Sequence, residues 1–101
     1  MEKVILFANI NMVPGFEDEV KKETIALAAE TRKEAGCELF LIHTRNDSHQ
    51  TIVFYEIYHS EEAFKQHKIF AYTERYFQFL KGRIENDKPE VSFLMALDVK
   101  V

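Results

Sequence analysis

The feature that most limits how this chain can fold is that its strand-like segments are apolar on both faces. Successive side chains of a strand point to opposite sides of the sheet, so a sheet wet on one side should alternate apolar with polar residues. In residues 3–12, "KVILFANINM", Val4, Leu6, Ala8, Ile10 and Met12 point one way. Ile5 and Phe7 stand on the other face, beside Asn9 and Asn11. "CELFLIHT" sets Phe40 and Ile42 against Leu39 and Leu41, and "QTIVFYEIYH" sets Ile52 and Phe54 against Val53 and Tyr55. The closing segment "VSFLMALDVKV" sets Leu94 and Ala96 against Phe93, Met95 and Leu97. A sheet built from these strands needs cover on both sides.

Helical periods lie between them. After the break at Pro14-Gly15, the residues Phe16, Val20, Thr24, Leu27, Thr31 and Ala35 recur at helical spacing, with Glu17, Asp18 and Glu19 in the first turn and Gly36 as the stop. "RNDSH" makes a turn, so residues 37–59 read as a hairpin. Ser60 caps a second helix that places Ala63, Phe64, His67, Phe70 and Ala71 on one face. Tyr72, Tyr76, Phe77 and Leu80 continue helically until Gly82, and "RIENDKPE" reads as a polar loop before the last strand.

The order βαββαβ predicts a ferredoxin-like α+β fold, an antiparallel sheet with helices on one face. At 101 residues the chain fits one domain, 1–101. Helices on one side leave the other apolar face bare, and a second copy in a two-fold dimer is its simplest cover.

Composition removes several function classes. Net charge is −4 and no basic run exceeds two residues, so no nucleic-acid partner is expected. "VILFA" is far too short to cross a membrane, and no membrane partner is expected; a cytoplasmic location follows as the default. The single Cys37 forms no internal disulfide. The four histidines lack metal-ligand spacing, and no glycine-rich phosphate loop or nucleophile elbow occurs, so no cofactor is implied.

What remains is a few polar residues in apolar settings. His67 should point inward, either as a packed core histidine or as a pocket base, since imidazole exchanges a proton near neutrality. Glu56 shares a strand face with Ile52, Phe54 and Tyr58, where a carboxylate is costly to bury unpaired. It either anchors a histidine or arginine or tunes a catalytic histidine, with His67 one candidate partner. Tyr58 and Tyr72 pack in the core or line a pocket for a flat aromatic substrate. Asn9 either serves a neighbouring backbone group or donates to a substrate oxygen.

The stretch "AGCELFLIHTRNDSHQTIVFYEIYHSEEAFKQH" resembles the antibiotic biosynthesis monooxygenase domain of the dimeric α+β barrel superfamily. The matching features are Gly36-Cys37, Glu56-Ile57-Tyr58, Ser60 to Ala63, and His67 nine residues after Tyr58. The resemblance implies a homodimer of ferredoxin-like subunits, each with a pocket between sheet and helices. It also implies chemistry such as the oxygenation of quinols and polyketide anthrones with neither metal nor flavin. Other members degrade haem, and one branch processes a phosphorylated signalling sugar. This chain departs from the pattern at Tyr58, where many members carry Trp, and at Ala71-Tyr72, where a Pro-His pair is common. Phe77 stands near where the haem-degrading branch places its iron ligand, and phenylalanine binds no iron. The expected function is therefore a cofactor-independent monooxygenase acting on a small aromatic or quinol with O2. His67 and Glu56 are its expected catalytic residues, and Tyr58, Tyr72 and Asn9 its substrate contacts. Proton-transfer chemistry on a small carbonyl compound, or ligand binding without catalysis, are the alternatives.

Overall fold

The two central strands of the sheet, β1 (Val4–Asn11) and β3 (Ser48–Tyr58), run antiparallel with Leu6 opposite Glu56 and Ala8 opposite Phe54. β2 (Cys37–Arg45) and β4 (Glu90–Leu94) flank them in the order β2-β3-β1-β4. A computed structural model describes residues 2–98 of the chain. α1 (Glu17–Thr31) connects β1 to β2, and α2 (Glu61–Ile69) and α3 (Ala71–Leu80) connect β3 to β4. This is the ferredoxin-like α+β arrangement that the order of apolar patterns predicts.

The local signals account for most boundaries. The Ser60 hydroxyl accepts a hydrogen bond from the Ala63 N–H at 3.1 Å and caps α2. Gly82, at φ +80°, ends α3 in a conformation that costs a residue with a Cβ. α2 and α3 are separate because Phe70 adopts an extended ψ of 141° between them.

Three expectations need correction. α1 does not run on to Gly36: it ends at Thr31, and the N–H groups of Lys33 and Glu34 turn back to the carbonyls of Glu30 and Thr31. The last strand stops at Leu94, because its antiparallel register against β1 pairs Leu94 with Ile5 and β1 starts one residue earlier, at Val4. Residues 95–98 are not strand, and residues 99–101 of the predicted strand lie outside the described residues. The "RIENDKPE" segment is not wholly polar in setting, since Ile84 is buried and bridges to Met12.

The core forms between the helices and one sheet face. Leu6, Ala8, Ile10, Phe40, Ile52, Phe54 and Tyr58 from the strands meet Val20, Leu27 and Ala28 of α1 and Tyr76 and Leu80 of α3. Buried threonines bond within α1, and one of them joins it to α3. The Thr24 and Thr31 hydroxyls donate to the carbonyls four residues earlier, at 2.7 and 2.8 Å, and Thr24 Oγ1 also lies 2.7 Å from the Tyr76 hydroxyl. On the opposite sheet face, one row across the strands reads Leu41, Tyr55, Phe7 and Ser92, and the next reads Leu39, Ile57, Ile5 and Leu94. Phe7 and Leu41 are 40% and 38% exposed there while Ile5 and Ile57 are 8% and 5% exposed, so this side is open in part.

Candidate functional site

A cavity of about 130 Å³ lies between the sheet and all three helices. Leu6, Ala8, Phe40 and Phe54 form its floor, and Leu27 closes it from α1. Three polar residues face it: Glu56 from β3, His67 from α2 and Thr73 from α3. Lys68, Phe77 and Val91, all exposed, stand at its rim.

His67 is held from both sides. Its ring packs against Tyr58, with centroids 5.0 Å apart, and against Phe40 at 6.2 Å. Its Nδ1 lies 2.9 Å from Glu34 Oε2, and both side chains are less than 10% exposed. The Tyr72 hydroxyl donates to the same carboxylate oxygen. With the Glu34 carboxyl facing Nδ1 and the Tyr72 hydroxyl, the imidazole is oriented so that Nε2 is the ring nitrogen turned away from Glu34. Nε2 has no hydrogen-bond partner among the described residues.

Glu34 reaches this position through the short turn after α1. Because the chain stops winding helically at Thr31, Glu34 turns toward α2 instead of following the helix surface. Gly36 then passes so close to α2 that only a hydrogen fits at its α-carbon, and its carbonyl accepts from the His59 N–H at 2.8 Å.

Glu56 has a different partner from the one considered. It makes no hydrogen bond to His67; the Tyr58 hydroxyl, two residues on, donates to its Oε1 at 2.7 Å. Burial pushes the Glu56 carboxyl up from 4.5 to about 7, the Tyr58 bond opposes that rise, and the nearby charge of Glu34 adds to it. Near neutrality this carboxyl is shared between its acid and its base form. Burial and the Glu56 charge hold Tyr58 firmly protonated, and burial with the Glu34 bond does the same for Tyr72.

The structure therefore brings Glu56 and His67 to one cavity but separates them from the other three candidates. Tyr58 is fully buried behind His67 and does not line the cavity. Tyr72 contacts Glu34 rather than the cavity. Asn9 sits on the far face of the sheet between Val53 and Glu90, because strand alternation places it with Phe7 and not with Leu6 and Ala8. Sequence reasoning missed Glu34 and Thr73. Thr73 was within its reach, because Thr73, Tyr76 and Leu80 form the buried stripe of α3; Glu34 was not, because it lies beyond the end of α1 at Thr31, in a turn whose direction no periodicity signals. Among the described residues, no three His, Cys, Asp or Glu side chains gather where they could hold a metal ion, and no helix is long and apolar enough to cross a membrane.

The sequence model for antibiotic biosynthesis monooxygenases matches residues 3–73. No curated protein matches the chain in sequence. Among solved structures, PA3566 from Pseudomonas aeruginosa is 23% identical and aligns over 96% of each chain with a TM-score of 0.88. Rv0793 from Mycobacterium tuberculosis is 21% identical over 97% of this chain and 98% of its own, with a TM-score of 0.89. A crystal structure of an antibiotic biosynthesis monooxygenase is 18% identical over 93% of this chain and 98% of its own, with a TM-score of 0.86. At these identities the structural likeness establishes a shared fold.

Proposed function

Because this chain belongs to the antibiotic biosynthesis monooxygenase family, we propose that it inserts one atom of O2 into a small aromatic, quinol-type substrate without metal or flavin. The observation that carries this reading is the Glu34–His67 pair, whose free Nε2 belongs to a side chain lining a largely apolar pocket that opens at the Lys68, Phe77 and Val91 rim. A carboxylate behind an imidazole orients the ring and steadies the imidazolium that forms when it accepts a proton.

His67 Nε2 takes the proton of a ring hydroxyl of the substrate, and the carbon that later bonds oxygen keeps its hydrogen until water is lost. The resulting anion is electron-rich enough to give one electron to O2, and the two radicals combine into a hydroperoxide that takes up one proton. Loss of water then leaves a new carbonyl, so one oxygen atom enters the product and the other leaves as water. The protein supplies a base, a dry enclosure and hydrogen bonds to the oxyanion. Glu56, poised near neutrality, is the second proton carrier of the cavity. Tyr58 holds Glu56 and packs on His67, and Tyr72 holds Glu34, so both tyrosines act as positioning residues.

The exposed Phe7 and Leu41 on the far sheet face support a homodimer, since a two-fold axis would pair that apolar surface with itself.

Oxygen uptake with a panel of monocyclic quinols tests the proposal. Replacing His67 with Ala should lower turnover about a hundredfold or more. An unchanged rate would remove His67 from the chemistry. Proton exchange at a substrate carbon without oxygen uptake would reassign the protein to isomerisation, and tight binding without turnover would make it a ligand-binding module.

A further inference from the structure

Among the described residues, Thr73 Oγ1 is the buried side-chain polar atom that has no hydrogen-bond partner. Its residue is fully buried and lines the cavity. A helical threonine ordinarily satisfies its hydroxyl by donating to the carbonyl four residues earlier, as Thr24 and Thr31 do. For Thr73 that carbonyl belongs to Ile69, the last residue of α2, on the other side of the break at Phe70. The break withdraws the usual acceptor and leaves a donor in an apolar enclosure, an arrangement that costs stability unless something else fills the role.

We propose that Thr73 is a specificity-determining residue, and that the cavity takes one aromatic ring carrying a hydroxyl or carbonyl oxygen bonded to Thr73 Oγ1. The single ring is what the apolar part below the rim has room for: an apolar cavity of about 150 Å³ is enough to bind benzene, and this pocket holds about 130 Å³ and opens beside Lys68, Phe77 and Val91. The ring oxygen follows from charge. Thr73 lies in the first turn of α3, whose N–H groups lack helical acceptors, and that end of a helix favours an oxygen bearing negative charge. The inference deepens the oxygenase reading and rests on it for what then happens to the ring; binding itself is separable.

Calorimetric titration of the intact chain with phenol, benzene and 1-naphthol tests the proposal. Thr73→Val keeps the side chain's shape and removes the hydroxyl; Thr73→Ser keeps the hydroxyl. The phenol-to-benzene affinity ratio should fall about tenfold in T73V, with benzene affinity held, and should stay high in T73S. A ratio unchanged in T73V would overturn the role of Thr73. So would a high-resolution structure with phenol bound and a water still seated on Oγ1. Naphthol binding as tight as phenol would overturn the one-ring limit. Because these measurements need no turnover, an enzyme that binds phenol through Thr73 but consumes no oxygen would condemn the oxygenase reading alone. One that consumes oxygen with an unchanged T73V ratio would condemn only this inference.

Discussion

Gly36 and Ala63 meet so closely that a methyl group built on Gly36 would fall 2.3 Å from the Ala63 Cβ. The contact presses the turn that carries Glu34 against the helix that carries His67. Two features by which the chain resembles its family, the Gly36-Cys37 pair and the Ser60 to Ala63 run, are thus the two sides of one packing contact. Its effect is to hold a carboxylate against an imidazole 33 residues away in sequence.

Gly36→Ala should therefore destabilise the protein by about 1–3 kcal/mol, since overfilling a packed contact forces the backbone apart. For a chain of this length that is a fall in Tm of roughly 4–20 °C, read by thermal unfolding. Adding Ala63→Gly should recover part of the loss. It relieves the clash but adds about 1 kcal/mol of helix cost. A G36A protein that melts like wild type would refute the close approach.

Glu34→Gln keeps a hydrogen-bond acceptor beside His67 Nδ1 but removes the charge. Turnover of an active quinol should fall about tenfold while KM stays within about twofold, because the charge acts on the imidazolium and not on the bound substrate. Tyr72→Phe should have a smaller effect, since Glu34 keeps its bond to His67. Steady-state kinetics on the two variants checks the order.

The raised Glu56 carboxyl makes stability depend on pH. Between its ordinary value of 4.5 and about 7, the folded chain keeps a proton that the unfolded chain has released. Its contribution is therefore fully present below 4.5 and is lost as pH rises through about 7. The full span is on the order of 3 kcal/mol. Glu56→Gln keeps an acceptor for Tyr58 and cannot titrate, so its stability should fall less between pH 5 and pH 8 than that of wild type. Denaturant unfolding at the two pH values measures the difference, and parallel profiles would contradict the burial of this charge.

The sheet face bearing Phe7 and Leu41 should be an interface between two copies. Wild type should scatter light as a dimer at micromolar concentration, and Phe7→Lys or Leu41→Glu should yield an 11.9 kDa species. A wild-type monomer would leave the apolar pattern of that face unexplained.

Element order, helix faces and caps were legible in the sequence because each rests on signals within a few residues: alternation along β1 and β3, the Ser60 cap, the Gly82 stop. The inward turn of His67 was legible for the same reason. The end of β4 was not, because it depends on where β1 begins. Tyr72 was misplaced because nothing local shows that its hydroxyl bonds to Glu34. Asn9 was the opposite case: alternation alone puts it on the face away from the cavity.

Periodicity alone settled that this chain makes a two-faced antiparallel sheet beneath helices, with one histidine and one glutamate turned into the core. Tertiary packing decided their partners. Glu34 rather than Glu56 stands behind His67, Tyr58 rather than His67 serves Glu56, and Thr73 is left with a free hydroxyl. The reason is that a side chain's direction is set by its own turn of backbone, whereas its hydrogen-bond partner is set by how closely distant segments can approach, and at Gly36 that distance depends on a single missing methyl.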